Sequence, residues 1–483
     1  MRSAREFLRR WKYLLVSLGL VAYFNAGAEW IREEKVRLSS APDMAARIKR
    51  LLWPPWRAAQ LYVSHDSDEH LFFENTRLIL GEQADLNFIA QQSLGDVPAV
   101  LADLRYRTQG PAHMRLPYRD VVISYPPVGI AVMLLPRLVA STLAGYRMAF
   151  GVLMGAFFLF SLWIGMRISE RLQEPGNISD EIKSNEKSRI TEHWMARGAA
   201  MLACIGPTLI MRYDIVPALL CAAVVLCLIE RRALLATVCI LVGAAAKMYP
   251  LLLLPTWLAL LFGLGQTARR TAVRVVALLA AISISAVTAA LLLVRGDLPL
   301  LHDVLVFQSR PFQLESVLGS LLVAISGASA IMASFGSFNV DTPLARLLAP
   351  YWDFGMAAAL LAVAALAFRW ARRHRQLGPA AQGRALVAWT VAALLVLLCA
   401  TKVLSAQYVI WCVPLIAALP GRRGQTIFRL FLPTLFLTQL IYPTLYGALI
   451  RGSTAVLAVL LLRNVLLGAV AVLAVRNALE AAD

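Results

Sequence analysis

Residues 384–401 read RALVAWTVAALLVLLCAT, an unbroken apolar run behind a single arginine. As an α-helix, this stretch would rise about 27 Å, close to the thickness of the hydrocarbon core of a bilayer. Similar runs recur along the chain, and 59% of its 483 residues are hydrophobic while only 16% are charged. The sequence therefore predicts an all-α, multi-pass membrane protein, and it excludes an ordinary soluble enzyme and a protein with a single membrane anchor.

Apolar segments long enough to be predicted as membrane spans occur twelve times. They are 11–28, 146–166, 195–211, 214–229, 233–248, 250–265, 271–294, 352–370, 384–401, 405–420, 427–446 and 452–475. Two further segments are predicted to be re-entrant or interfacial helices, because 126–144 is interrupted by Pro136-Arg137 and 315–335 is rich in glycine and serine. The predicted fold thus has about 12 transmembrane helices and a large first outer loop.

The distribution of lysine and arginine sets the predicted orientation, because cytoplasmic loops carry the positive excess. With both termini in the cytoplasm, the short outer loops contain only Arg212, Lys247, Arg295, Arg310, Arg346, Lys402 and Arg451. The net charge of +18, from 47 Lys/Arg and 29 Asp/Glu, then reflects cytoplasmic loops that face anionic lipid headgroups. We therefore expect a plasma (inner) membrane protein whose partners include membrane lipids and no nucleic acid.

This orientation divides the chain into five regions. They are the cytoplasmic N-terminus and first transmembrane helix (1–28), a large extracytoplasmic loop with interfacial helices (29–145), core transmembrane helices (146–313), a re-entrant outer-face segment (314–350) and C-terminal transmembrane helices (351–483). Within the core, 169–194 is predicted to be a cytoplasmic linker, with 180–187 as a solvated loop. Ala26-Gly27-Ala28 resembles a signal-peptidase site, but the many spans that follow favour a retained first helix.

The acidic stretch Ser64-His65-Asp66-Ser67-Asp68-Glu69-His70 is the first candidate for chemistry in the outer loop. Its carboxylates could supply a general base, and together with the imidazoles they could bind a divalent metal, although the spacing matches no standard metal motif. The structural alternative is a helix N-cap before the amphipathic run 71–80. Both interpretations stand, since a cap and a base can be the same residue.

Other polar residues on the predicted outer face have both a functional and an ordinary interpretation. Tyr125 precedes a double proline, and it could bind a ligand or belong to an interfacial aromatic belt. Lys247 stands between two predicted spans, where its ammonium could meet a lipid phosphate or simply snorkel to the interface. Structural residues would not need to gather on one side of the membrane, which favours a site there.

Two clusters nearer the C-terminus continue this pattern. Arg310 could clamp a phosphate in a bidentate way, and Glu315 could pair with it or accept hydrogen bonds from sugar hydroxyls. Lys402 is followed by Gln407 and Tyr408, and amide groups and aromatic rings are common in sugar sites. Tyrosine is equally common at every bilayer interface, so the second cluster carries little weight by itself.

In chain order, the polar groups are Asp68-Glu69-His70-Leu71-Phe72-Phe73, Tyr118-Arg119-Asp120, Tyr125-Pro126-Pro127, Arg212-Tyr213-Asp214, Lys247-Met248-Tyr249-Pro250, Arg310 to Ser316, and Gln407-Tyr408 followed by Trp411 and Pro414. This order resembles the GT-C superfamily of integral membrane glycosyltransferases, and within it glycosyltransferase family 87, the polyprenol-phosphate-mannose-dependent mannosyltransferases. The resemblance implies an extracytoplasmic active site with an aspartate base in the first outer loop. Asp68 matches that base best and Asp66 is second. The chain departs from the family at 84–115, an insertion that could reshape the acceptor site.

The activity implied by the resemblance is that of an inverting hexosyltransferase. It would move a sugar, by family default mannose, from a polyprenyl-phosphate donor to an extracytoplasmic glycolipid or glycan acceptor. The cations expected at the donor phosphate are Lys247, Arg310 and Lys402. The residues expected at the sugar or acceptor are Tyr125, Asp214, Gln313, Glu315, Gln407 and Tyr408. No metal and no cofactor is expected, because these cations can stabilise the charge that grows on a monophosphate leaving group.

Two other classes of protein compete with this interpretation. A multi-pass secondary transporter or flippase of envelope lipid precursors would place ionisable groups near the bilayer midplane and would often contain related halves. In this sequence the unusual polar groups fall at predicted helix ends, and no two halves match. A catalytically silent scaffold for envelope-polymer assembly is the third alternative.

Overall fold

The computed structural model describes residues 16–19, 21, 68–91, 97–109, 114–117, 120–121, 123, 125–172, 180–293 and 310–481. The helices are α1 (Asp68–Leu80), α2 (Leu86–Gln91), α3 (Val97–Arg107), α4 (Pro127–Leu134), α5 (Leu143–Arg171), α6 (Asp180–Ile205), α7 (Thr208–Met211), α8 (Ile215–Ile229), α9 (Ala233–Ala246), α10 (Tyr249–Gly263), α11 (Gln266–Leu293), α12 (Val317–Ser326), α13 (Pro343–Arg373), α14 (Pro379–Ala400), α15 (Val413–Ala418), α16 (Gly421–Gln439), α17 (Tyr446–Ile450) and α18 (Thr454–Leu479). Single 3-10 turns cover Leu135–Leu138, Ala328–Ala330 and Ala406–Cys412, and a π-helical turn covers Leu440–Leu445. The strands are β1 (Ile331–Ser334) and β2 (Ser337–Val340), which pair in antiparallel fashion.

Five helices among the described residues are long and apolar enough to cross a bilayer. They are Leu143–Arg171, Pro343–Arg373, Pro379–Ala400, Gly421–Ile450 and Thr454–Leu479. Seven shorter apolar helices accompany them in the described part of the chain. The predicted all-α class is therefore confirmed, and these helices are consistent with a multi-pass membrane protein; five of the twelve predicted spans coincide with helices of spanning length in the described residues.

Several segments predicted as full spans are shorter helices that end at polar turns. Helices α8, α9 and α10 have 15, 14 and 15 residues. Asp214 precedes α8, and Lys247 separates α9 from α10. The predicted span 405–420 is a 3-10 turn followed by the six-residue α15. Asp214 and Lys247 therefore stand at helix ends, where the candidate site lies.

The two segments that were predicted as re-entrant or interfacial helices contain short helices. In 126–144, α4 has 8 residues before the 3-10 turn at Pro136. In 315–335, α12 has 10 residues, and the hairpin that follows was not predicted. Phe335 and Gly336 form the turn of this hairpin, both with positive φ of 53° and 63°, the conformation that matches the twist of two paired strands.

The prediction of a solvated loop at 180–187 is wrong. The structure places these residues in the first turns of α6, which begins at Asp180 and continues to Ile205. The physical reason is that this run combines strong helix formers, glutamate and lysine, with charges three and four residues apart, so it forms a polar helix.

Helix α14 is the centre of the bundle. In its most apolar window 78% of the residues are buried, against 33–50% in the other four candidate spans. A helix enclosed on all sides must be apolar all round, which is what the opening stretch of the sequence shows. The buried hydroxyl of Thr390 has a partner, because the indole of Trp257 on α10 donates to Thr390 Oγ1 at 2.9 Å.

A buried arginine holds the end of α15 in place. Arg197 on α6 donates from Nη1 to the carbonyl oxygens of Ala417 at 2.8 Å and Leu419 at 3.1 Å, and from Nη2 to Gln425. Its guanidinium also stands 5.1 Å from the ring centroid of Phe428. These carbonyls are left without intrahelical partners at the helix end, so the arginine both satisfies them and complements the negative end of the helix dipole.

We predict that Arg197→Ala lowers the free energy of unfolding by about 2–4 kcal/mol, because two buried carbonyl oxygens lose their donor. The measurement is thermal unfolding of the purified protein in detergent micelles. Arg422→Ala is the matched control, since Arg422 is exposed at the start of α16. Equal shifts in melting temperature for the two variants would contradict the prediction.

Candidate active site

The residue that best matched the catalytic base lies in a helix. Asp68 is the first described residue of α1, whereas Asp66 lies outside the described residues. One turn further along α1, the buried ring of Phe72 packs edge-on against Tyr125 at 5.4 Å and Tyr213 at 6.0 Å between centroids. The first turn of α1 is thereby attached to the helix ends that carry the polar residues.

The centre of these helix ends is a buried carboxylate. Asp214 Oδ1, just before α8, accepts a hydrogen bond from Lys247 Nζ at 2.6 Å and another from the indole nitrogen of Trp411 at 2.7 Å. The Asp214 side chain is 2% exposed, whereas that of Lys247 is 20% exposed. The Asp214 carboxylate thus joins its own segment to those of Lys247 and Trp411. The Lys247 ammonium is left at the edge of the buried region.

Aromatic rings surround the Lys247 ammonium. Tyr249 and Trp411 stack at 4.0 Å, and Tyr408 stacks on the same indole at 4.2 Å. Lys247 Nζ lies 4.5 Å from the Tyr408 centroid, 5.4 Å from that of Trp411 and 5.6 Å from that of Tyr213. A cation this close to several ring faces is stabilised by their quadrupoles. Half-buried Tyr408 forms the outer end of the stack.

Tyr125 joins α1 to this cluster from the other side. Its ring packs edge-on against Tyr213 at 6.2 Å. Burial raises the pKa of Tyr125 above its ordinary value, and Tyr213, Asp214, Tyr146 and Tyr408 raise it further, so its hydroxyl stays protonated as a hydrogen-bond donor. The predicted residues Tyr125, Asp214, Lys247 and Tyr408 therefore belong to one cluster in the structure.

A second polar cluster is built on the turn before α12. The side-chain amide of Gln313 donates to Glu315 Oε2 at 3.1 Å and to Ser405 Oγ at 3.3 Å. The backbone N–H of Gln313 donates to the carbonyl oxygen of Lys402 at 2.9 Å. Hydrogen bonds from Leu314 and to Phe312 attach the same turn to β2. Gln313 and Glu315 thus lie together, next to the segment that carries Gln407 and Tyr408.

Two residues of the last spanning helix hold this turn. Arg463 on α18 is fully buried, and its Nη2 donates to the Glu315 carbonyl oxygen at 2.9 Å. Asn464 Nδ2 lies 3.5 Å from the same oxygen and donates to Ser320 Oγ at 2.8 Å. Neither residue was predicted from the sequence to belong to the site. A charged residue inside an apolar span is unusual, and Arg463 could have been identified by that signal. Their role here is to position the backbone of the turn.

Burial controls the ionisation of the Glu315 carboxyl group. Its side chain is almost fully buried and precedes α12, outside the five candidate spans. Desolvation raises the pKa of Glu315 to about 7, against the opposing influence of Arg463 and Arg212. A carboxyl group with this pKa exchanges a proton near neutral pH.

The remaining two predicted phosphate-binding cations have different surroundings. Arg310 is buried, and its Nη2 donates to the Phe335 carbonyl oxygen at 2.7 Å in the hairpin turn. Its guanidinium is near enough to Tyr408 for an electrostatic interaction. Lys402 Nζ instead donates to Asp353 Oδ2 on α13 at 2.7 Å, a partner that the sequence analysis did not identify. Lys247 and Arg310 both interact electrostatically with Tyr408, whereas the Lys402 ammonium is directed to α13.

No group of three or more His, Cys, Asp and Glu side chains that could hold a metal ion occurs among the described residues. His65 and Asp66, which the sequence analysis considered as metal ligands together with Asp68 and His70, lie outside the described part of the chain. His70 stacks on Phe88 at 4.2 Å and lies 3.8 Å from Glu74 Oε1. This histidine is therefore engaged in packing within the α1–α2 region.

Comparison with known proteins finds no family model, no curated protein and no solved structure that matches this chain.

The ion pair at the centre of the site generates a prediction about coupling. Asp214→Asn and Lys247→Met should each lower the free energy of unfolding by about 3 kcal/mol, because each leaves its partner without an opposite charge in a largely buried place. The double variant should lose clearly less than the sum of the two, since the residues are in direct contact. Thermal unfolding of the four proteins measures this coupling, with Trp411→Phe as the control that removes one hydrogen bond and no charge. Additive losses would disprove the pairing.

The raised pKa of Glu315 generates a prediction about pH. The folded carboxyl group has a pKa of about 7, and an unfolded glutamate has one of about 4.3. Between these values the folded state binds more protons, so the free energy of unfolding should fall as pH rises, by at most about 3 kcal/mol. Melting temperatures at pH 5 and pH 8 test this. The difference between the two temperatures should shrink in Glu315→Gln by the part that Glu315 contributes. It should stay unchanged in the exposed Glu82→Gln variant. An unchanged dependence in Glu315→Gln would show that another group is responsible.

Proposed function

We propose that this protein is an inverting, polyprenyl-phosphate-sugar-dependent glycosyltransferase of the GT-C type, with about 12 transmembrane helices. The observation that supports it is the contact of Phe72 with Tyr125 and Tyr213. This contact attaches the first turn of α1, where Asp68 stands, to the cluster that contains Asp214 and Lys247. A candidate base, a cation and aromatic rings are the parts that sugar transfer from a lipid phosphate requires.

In the proposed reaction, Asp68 takes the proton of an acceptor hydroxyl. The oxygen of that hydroxyl forms a bond to the anomeric carbon of the donor sugar as the bond from this carbon to the phosphate oxygen breaks. The electron pair of the broken bond leaves with polyprenyl phosphate on the opposite face, so the configuration at the anomeric carbon is inverted. Negative charge grows on the leaving phosphate, and nearby cations lower the barrier by stabilising it.

Lys247 is the cation best placed to meet that phosphate. An ammonium group has three N–H donors, and Asp214 Oδ1 accepts one of them at 2.6 Å. Arg310 and Lys402 are the further candidates for the donor phosphate. Arg310 interacts electrostatically with Tyr408, whose ring centroid lies 4.5 Å from Lys247 Nζ. The pairing of Lys402 with Asp353 makes it the weakest of the three assignments.

The sugar and the acceptor are assigned to the groups between these cations. Tyr125 donates a hydrogen bond, and the outer face of Tyr408 offers an apolar surface to a sugar ring. Gln313, Glu315 and Gln407 supply amide and carboxyl groups for sugar hydroxyls. We place this site on the extracytoplasmic side of the plasma membrane, with mannose as the donor sugar and a glycolipid or glycan as the acceptor.

One observation favours the alternative, a transporter or flippase of envelope lipid precursors. Arg463 is a buried charged residue inside a spanning helix, with its Nη2 on the Glu315 carbonyl oxygen and the Glu315 carboxyl within electrostatic range. Ionisable residues in such places often mark substrate or proton pathways. Against this alternative, Arg463 holds the turn that carries Gln313 and Glu315, and most of the other polar groups of the site lie at helix ends.

The decisive experiment supplies radiolabelled polyprenyl-phosphate mannose to the protein in proteoliposomes that contain a glycolipid extract. The enzyme should move label from the donor to an acceptor. Asp68→Asn should reduce this transfer by about 10²–10⁴-fold, the contribution of a general base, and should leave donor binding intact. Asparagine keeps the size and polarity of aspartate, so this variant removes the base with little change in the shape of the side chain.

Asp103→Asn is the matched control, because Asp103 is exposed on α3 and pairs with Arg107. It should transfer label at the rate of the unsubstituted protein. Full transfer by Asp68→Asn would refute the assignment of the base, and Asp66→Asn would then be examined. Movement of intact donor across the bilayer without transfer would favour the transporter. If neither transfer nor movement occurs, both functions are contradicted.

A further inference from the structure

A groove lies between the first turn of α9 and the third and fourth turns of α11, at the end of α9 that is remote from Lys247. Its volume is about 610 Å³, within the range of pockets that hold small ligands. The residues that line it are Arg232, Ala233, Leu234, Leu235, Arg274, Ala277 and Leu278. The groove thus has an arginine on each side and an apolar floor, a combination that suits an amphipathic anion.

The charges at the mouth of the groove are mostly positive. Arg232 Nε lies 3.1 Å from Glu230 Oε2, and Arg171 Nη2 lies 2.8 Å from Oε1 of the same carboxylate, so one acidic group is shared by two arginines. Within the described residues, Arg274 has no ion pair, and neither has the exposed Arg270 one turn before it on the same face of α11. This excess of positive charge attracts an anion such as a phosphodiester.

The walls beyond the arginines are apolar and exposed. Leu234, Leu235 and Val238 on α9 are 58%, 47% and 42% exposed, and Val273 and Val276 on α11 are 52% and 41% exposed. In a membrane protein such side chains face lipid tails. Helices α9 and α11 begin at the same end of the bundle because α10 runs back between them. The groove therefore has Arg232 at the start of α9 and Arg274 in the third turn of α11, with exposed apolar side chains beside both arginines.

We infer that this groove binds a glycerophospholipid with a net negative headgroup. The phosphate would lie between Arg232 and Arg274, and an acyl chain would follow the leucines of α9. Basic pockets between membrane helices are suited to such headgroups. The site lies roughly 20 Å from Lys247 along α9, a helix of 14 residues. It goes beyond the proposed function and does not depend on it.

The test titrates purified full-length protein in detergent with dioleoylphosphatidylglycerol and, separately, with dioleoylphosphatidylcholine. Bound lipid is counted by native mass spectrometry. The anionic lipid should bind at least about tenfold more tightly than the zwitterionic one, and the variant Arg232→Gln/Arg274→Gln should lose this preference. Leu235→Trp should weaken binding of both lipids by filling the groove without a change in charge. Inorganic phosphate at the same concentration should not displace the lipid, since it lacks the acyl chains.

Arg373→Gln/Arg375→Gln is the matched control, because it removes two exposed arginines near the end of α13. Gly265 faces the carbonyl oxygen of Arg375, so this control changes charge at the same end of the bundle as the groove. It should bind the anionic lipid as the unsubstituted protein does. An equal loss in both double variants would show a general charge effect and overturn the site. Equal binding of the two lipids would also overturn the site. The same holds if the protein forms a dimer without lipid and Leu235→Trp disrupts that dimer, since a second copy of the chain would then occupy the groove.

Discussion

The ion pair between Lys247 and Asp214 is the interaction on which the arrangement of the site depends. A charge in an apolar bundle is costly unless it is paired, so wherever one partner lies the other must follow. Here the pairing fixes the end of α9 against the start of α8, with Nζ and Oδ1 at 2.6 Å. The indole of Trp411 on the same carboxylate then fixes the segment before α15 and sets Tyr408 beside the ammonium.

The same constraint operates at the turn before α12. Backbone carbonyls cannot remain without donors in the interior of a membrane protein, and Arg463 and Asn464 reach the Glu315 carbonyl oxygen from the last spanning helix. Gly319 allows the first turn of α12 to pack closely on the backbone of Gln313, because a Cβ at this position would stand 2.1 Å from the Gln313 carbonyl oxygen. A turn held in this way keeps its side chains in a fixed orientation, which a binding site for a polar ligand requires.

Much of the fold and part of the site could be predicted because their signals are local. Lys247 and Asp214 stand out as polar residues at the ends of apolar runs, and the structure places them in contact. The amphipathic run 71–80 predicted a helix, and α1 covers it. Asp353 gave no such signal, since an aspartate in a predicted helix reveals nothing about a lysine 49 residues away. The hairpin at 331–340 was hidden because its apolar residues extend the preceding apolar segment.

The sequence by itself determined that this is a helical protein with the length and apolarity of membrane spans, and that several of its unusual polar residues stand at helix ends. Composition and the length of apolar runs suffice for that, because the bilayer imposes the same requirement on every span. Only the tertiary structure decided which polar residues meet. Trp411 and Asp214 are 197 residues apart, and their contact depends on how the helices pack. Packing is decided by the shapes of many side chains at once, which no short stretch of sequence contains.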